Sequence, residues 1–327
     1  MNILFLLGNG FDRNLKMETA YEHFYKNAYQ VQPDDNDLIK NLKLAIKNDV
    51  KTWADLELAL GKHTKELKSR EEFYLVFDDI RDKLSVYMSE QKSPYIFDSS
   101  TQNKFLNDMW YPYNFLAEGE KNTFSQLANK YIHNQTSISA ISFNYTNSLE
   151  KILSYNNENI QIGTIGKIPC FFTVIEHIHG FTDERFVLGV DNIEQIANEA
   201  FRNDEEIVRS FVKPRLNKEA KHLVDERCKK MIDNAQIICL FGMSVGETDK
   251  TWWQYIGTLL QNGGGSIRLI IFWKDEEIHP RYIDKKLRVE NEVRERFLSM
   301  TSLSDNLKKN ISQYIYIAYN TKIFKMD

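Results

Sequence analysis

The chain has 327 residues, 42% of them hydrophobic and 27% charged, which fits a folded globular protein of one large domain or two modest ones and excludes a disordered chain. A formal net charge of -4 excludes the global basic field expected of a nucleic-acid or anionic-membrane binder. The three cysteines, Cys170, Cys228 and Cys239, form no Cys-x-x-Cys pair, so neither a zinc module nor a disulfide framework is expected.

The first apolar run, Ile3 to Leu7, is too short for a signal-peptide core or a membrane span, so a cytoplasmic protein is expected. Bounded by Gly8, it reads as a buried parallel strand. Helical spacing follows from about Thr19, with Ala20, Phe24 and Ala28 on one face. Residues 30 to 135 read as helix throughout and form an insertion after the first strand–helix unit: Leu38, Leu42 and Ile46 in one helix, Trp53, Leu56, Leu58 and Leu60 in another, Phe73, Leu75, Val76 and Ile80 in a third. Strands are expected at 137–143, 172–178, 185–189, 237–241, 267–272 and 314–318, with a second helical segment at about 192–234 and a helix from about Asp249 to Leu260. Gly263-Gly-Gly265 precedes a strand and reads as a turn, not a phosphate loop. Alternating strands and helices imply a Rossmann-like α/β fold, with a mostly parallel sheet covered on both faces.

Four strand ends carry the residues of interest. Gly8-Asn-Gly10 lets the backbone turn sharply, and free amides at the following helix start favour an anion; an ordinary strand-to-helix turn explains it as well, and Arg13 stands where a dinucleotide fingerprint has its third glycine. Asp12 suits a ribose hydroxyl or a helix N-terminus. Asn144, in Ser142-Phe-Asn-Tyr-Thr-Asn147, can orient a water or a ribose, or serve only as a turn residue. His177 and His179 share a face if the strand stays extended; a metal needs a third or fourth ligand, and none has convincing local spacing, so either one histidine serves as a general base or one is buried and hydrogen-bonded and the other solvated. Gly242 and Ser244, in Phe241-Gly-Met-Ser-Val-Gly-Glu-Thr-Asp249, offer donors to a phosphate, while Thr248 reads as a helix cap with Asp249 in the first turn. Glu57 starts an amphipathic helix and is an acid within possible reach of the site. Trp252 and Trp253 read as packing, and Arg227, Lys229 and Lys230 as a solvated helix face.

Taken in order, Leu6-Leu-Gly-Asn-Gly-Phe-Asp12, Thr19-Ala-Tyr-Glu-His-Phe24, Ser142 to Glu150, His177-Ile-His-Gly180 and Phe241 to Asp249 resemble the AbiH family of bacterial phage abortive-infection proteins. The chain departs from that pattern at Lys16-Met-Glu-Thr19, where the family has Gly-Leu-Pro-Thr. The same order is similar to the sirtuin-like nucleotide fold, which implies a single domain over 1–327 with a crevice for NAD. By that resemblance Gly8, Asn9 and Gly10 border the phosphates, with Asp12 beside them. Asn144 holds the nicotinamide ribose, His179 is the base, and Gly242 and Ser244 take the adenosine side. The cysteine-rich zinc module of the deacylases is missing from the chain, so peptide deacylation is not implied. The implied activity is NAD hydrolysis to nicotinamide and ADP-ribose, with NAD as substrate and no required cofactor. The alternatives are a non-catalytic nucleotide-sensing module and a nucleic-acid-acting toxin, the latter opposed by the charge balance. A homo-oligomer or a defence-system partner protein is compatible with either role.

Overall fold

The computed structural model describes residues 1–131, 135–279 and 281–326. Its centre is a sheet of seven strands: β1 (Asn2–Leu7), β2 (Thr136–Ser142), β3 (Ile160–Ile165), β4 (Ile168–His177), β5 (Ile237–Phe241), β6 (Arg268–Trp273) and β7 (Ile315–Tyr319). Their order across the sheet is β3-β4-β2-β1-β5-β6-β7. Only the β3–β4 pair is antiparallel; the other five pairings are parallel. From β1 the chain moves outward to β2 and β4, then returns to β5 on the other side of β1. The carboxyl end of β1 is therefore the switch point at which open α/β sheets leave a crevice.

The continuous apolar run of β1 is explained by burial on both faces. Ile3, Phe5 and Leu7 pack with Phe105, Phe124 and Phe324 on one side. Leu4 and Leu6 pack with Cys228, Ile232, Trp253 and Phe297 on the other. All three cysteines are buried and free.

The helical insertion, expected over about 30–135, divides in two; residues 132–134 of that span lie outside the described residues. The helices Ser99–Trp110 and Glu118–Lys130 contribute Phe105 and Phe124 to the sheet's own core. The earlier helices, Tyr21–Asn27, Asp37–Asn48, Leu56–His63 and Arg70–Glu90, build a separate apolar cluster, in which Phe24, Leu56, Phe73 and Ile80 meet Val190, Phe201 and Phe211. That cluster joins the insertion to the second helical segment.

Two sequence expectations need correction. Residues 185–189 are not a strand; Leu188 is buried in the helical cluster, with Phe186 packed against it, so hydrophobicity there reflects helix packing. Ile160–Ile165 is a strand that pattern reading passed over, because none of its residues is fully buried. Among the described residues no helix is long and apolar enough to cross a membrane.

Candidate functional site

A cleft of about 880 Å³ opens along the carboxyl ends of the strands. His179 follows β4, Phe143 and Tyr145 follow β2, Gly8 and Gly10 follow β1, Gly242 follows β5, and Lys274 follows β6. Thr321 follows β7, so six strand ends, or five spacings, of about 24 Å in all border the cleft.

The glycines at the switch point let two loops cross. Gly8 N–H donates to the Phe241 carbonyl at 3.0 Å and Gly10 N–H to the Gly242 carbonyl at 2.9 Å. Gly242 has φ +69°, and a Cβ there would lie 2.5 Å from the Phe11 nitrogen and 2.7 Å from Gly10 Cα. Phe11 N–H donates to the Gly8 carbonyl at 2.8 Å. The Gly10 and Phe11 amides thus already have protein partners. Asn9 is tied to the first loop, its Nδ2 donating to the Thr19 carbonyl at 3.1 Å and its Oδ1 accepting from the Thr19 hydroxyl. Ser244 is exposed at the cleft wall.

At the β4 end of the cleft His179, Asp249, Glu57 and Asp55 line the wall, and Lys213 completes a charge cluster from outside the lining. His179 Nε2 faces Asp249 Oδ1 at 3.4 Å. Lys213 Nζ lies 3.1 Å from that same oxygen and 2.9 Å from Glu57 Oε2. Asp55 caps the helix Leu56–His63 through the Leu58 amide and accepts from the Thr248 hydroxyl at 3.4 Å. Thr248, which reads from sequence as the helix cap, gives its hydroxyl to Asp55, and Asp249, expected in the first turn, stands at the start of Lys250–Asn262 without a side-chain cap bond; its carboxylate turns to Lys213 and His179 instead.

Burial first, then the adjacent Lys213 charge, pulls the His179 pKa down to about 4, so its ring is neutral at physiological pH. Burial alone would raise Asp249, yet Lys213 and His179 hold it well below the usual carboxylate range. Glu57 is pushed up, mainly by burial, with Lys213 opposing and Asp249 assisting. One ammonium shared by two buried carboxylates favours ionisation of Asp249 over Glu57.

The paired histidines do not share a face. β4 ends at His177 and the chain turns, so their rings separate. His177 Nε2 meets Glu150 Oε1 at 2.6 Å, and its Nδ1 lies 3.2 Å from the Asn144 carbonyl. Gly180, at φ +72°, serves close approach of the Arg185 carbonyl.

Of the residues singled out from sequence, Gly8, Asn9, Gly10, Glu57, His179, Gly242 and Ser244 line this one cleft. Asn144 and Asp12 do not line it. Asn144 is buried, its backbone carbonyl facing His177. Asp12 is 1% exposed; its Oδ2 accepts from Thr146 at 2.7 Å while its Oδ1 is buried with no hydrogen-bond partner among the described residues, and burial above all pushes its pKa up to about 6. Trp253 packs as expected and donates to the Gly246 carbonyl at 2.9 Å. Arg227 is not merely solvated, since it forks onto Glu176 at 2.6 and 3.0 Å. Sequence reasoning missed Lys213, Asp55, Tyr145 and the true partner of Asp249. Lys213 stands 156 residues from Glu57, and no local pattern connects them.

Neither a curated protein nor a solved structure gives a significant match to the chain. A family model described as "Bacteriophage abortive infection AbiH" matches residues 4–273, a span that runs from within β1 to the end of β6 and holds every residue of the charge cluster. The chain belongs to the AbiH family, whose described role is bacteriophage abortive infection.

Proposed function

We propose that this protein is an abortive-infection effector with a sirtuin-like nucleotide crevice, which hydrolyses NAD to nicotinamide and ADP-ribose. The observation that carries this reading is the cleft at the switch point, with a neutral histidine beside an ionised aspartate at its β4 end. The cleft volume of about 880 Å³ lies within the common range for small-molecule sites.

Cleavage of a ribosyl–pyridinium bond develops positive charge on the ribose while the ring nitrogen loses it. The carboxylates Asp249 and Asp55 near the β4 end suit that charge, as preorganised groups do where charge develops. His179 Nε2 is oriented by Asp249, which leaves Nδ1 as the acceptor; that atom is buried and has no partner among the described residues, so it takes a proton only from a water admitted beside it. In the reaction a water oxygen bonds to the ribose C1′. The bond from C1′ to the pyridinium nitrogen breaks, and its electron pair stays with neutral nicotinamide. The water proton passes to His179. Asn144 acts indirectly, its peptide placing Phe143 and Tyr145 on the cleft wall.

The low basicity of His179 favours a second reading, a nucleotide-binding module without turnover. Incubating purified protein with NAD and following nicotinamide and ADP-ribose by chromatography separates the two. Wild-type release with loss in His179→Ala supports the hydrolase. Equal NAD binding by both forms, with no product from either under activating conditions, supports the binding module.

A further inference from the structure

Lys213 is 5% exposed and lies in the helix Lys213–Glu219, outside the sheet and outside the strand-end motifs. Its ammonium touches carboxylates from two other parts of the chain. Glu57 comes from the helical insertion and Asp249 from the loop after β5. The oxygen it meets on Asp249 is Oδ1, the one that faces His179 Nε2. Its backbone is fixed as well, since Lys213 N–H donates to the Val190 carbonyl at 2.9 Å. A buried ammonium of this kind is retained at a desolvation cost unless both of its partners stay in place.

We propose that Lys213 is a positioning residue for the Asp249–His179 pair, and that Glu57 braces it from the helical insertion, so that the site is complete only when the insertion is seated. By sharing Oδ1, Lys213 fixes the direction of the Asp249 carboxylate. The carboxylate in turn keeps the His179 proton on Nε2 and leaves Nδ1 facing away as acceptor. The two helical segments that flank the sheet connections then have a common purpose beyond packing. They deliver one carboxylate and one ammonium to a site whose remaining parts sit on strand ends. Among the described residues, the other charged or titratable groups facing the cluster are Asp55 from the helix cap, Asp191 from the loop before the second helical segment, Arg185 from the loop after β4, Tyr145 from the loop after β2 and Tyr21 from the helix Tyr21–Asn27.

This role rests on the proposed hydrolase reading for its chemistry, but its test does not use NAD. The His179 ring is followed by NMR against pH in the full-length protein. In the wild type its midpoint is expected near 4, lowered by burial and by the Lys213 charge. Lys213→Met removes the neighbouring positive charge and leaves Asp249 to the histidine alone. The midpoint is expected to rise by about one pH unit or more, at least a tenfold gain in proton affinity. Lys213→Arg keeps the charge and is expected to stay near the wild-type midpoint. A folded Lys213→Met protein with an unchanged His179 midpoint overturns the proposal. If that variant does not fold, the double variant Lys213→Met with Glu57→Gln removes the ammonium together with the carboxyl group that braces it and is read the same way. There too an unchanged midpoint overturns the role. A shifted midpoint in a protein that never releases nicotinamide upholds the role of Lys213 and removes only the hydrolase reading.

Discussion

Gly242→Ala, set beside Gly264→Ala, separates two costs that a glycine can hide. Both positions have positive φ, +69° and +52°. An alanine at either one incurs the left-handed penalty of about 1–2 kcal/mol. A Cβ at Gly264 would meet nothing within 4 Å, so Gly264→Ala should lose only that amount. A Cβ at Gly242 would lie 2.5 Å from the Phe11 nitrogen and 2.7 Å from both Gly10 C and Gly10 Cα, all backbone atoms that cannot rotate aside. The helix Asn9–Asn14 must move, which adds the roughly 1–3 kcal/mol typical of overpacking. The sum for Gly242→Ala is about 2–5 kcal/mol. Urea unfolding of both variants measures the difference, and the same samples report ligand binding to the cleft. Equal losses in the two variants would refute the account of the glycines as a loop crossing.

Other outcomes follow from the buried groups. Asp12 has its pKa raised to about 6, so its carboxyl is protonated in folded and unfolded chains alike below about pH 4. Between about pH 4 and 6 the unfolded chain ionises first and stability falls; above that the penalty levels off near 3 kcal/mol. Asp12→Asn, which keeps an acceptor for Thr146, should therefore be more stable than wild type at pH 7 and equal to it near pH 3, and a denaturation series across pH checks this. His179→Ala should lower nicotinamide release by about 10²–10⁴-fold in a turnover assay. Because His179 is neutral well below pH 6, the turnover profile should show no limb near the ordinary histidine value of about 6.5. Tyr145→Phe removes a buried bond to the Val187 carbonyl and should cost about 1–2 kcal/mol in thermal or urea unfolding.

Where local pattern and tertiary environment agree, the sequence is easily read. Ile237–Phe241 is buried at four of its five residues, and its expected and observed bounds coincide. Phe186, Val187 and Leu188 have the same hydrophobic character, but their burial comes from helices and from the Tyr145 ring, stacked on Phe186 at 4.1 Å. Period and composition do not distinguish the two settings. The strand-end glycines stand out because backbone geometry demands them. The reason they are needed, one loop crossing another 234 residues away in sequence, is invisible locally. Asp249 shows the same limit: an acid at a helix start reads as a first-turn residue, and only the fold reveals that a lysine from another helix has captured it. Glu57 is legible as an acid within reach, whereas its partner Lys213 carries no signal beyond an ordinary helical lysine.

The most direct test is the NAD content of phage-infected cells that carry the wild-type protein or the His179→Ala variant. The account predicts NAD loss with matching nicotinamide release after infection in wild-type cells only, together with loss of protection in the variant. Protection by the wild type with NAD undiminished throughout infection would contradict it.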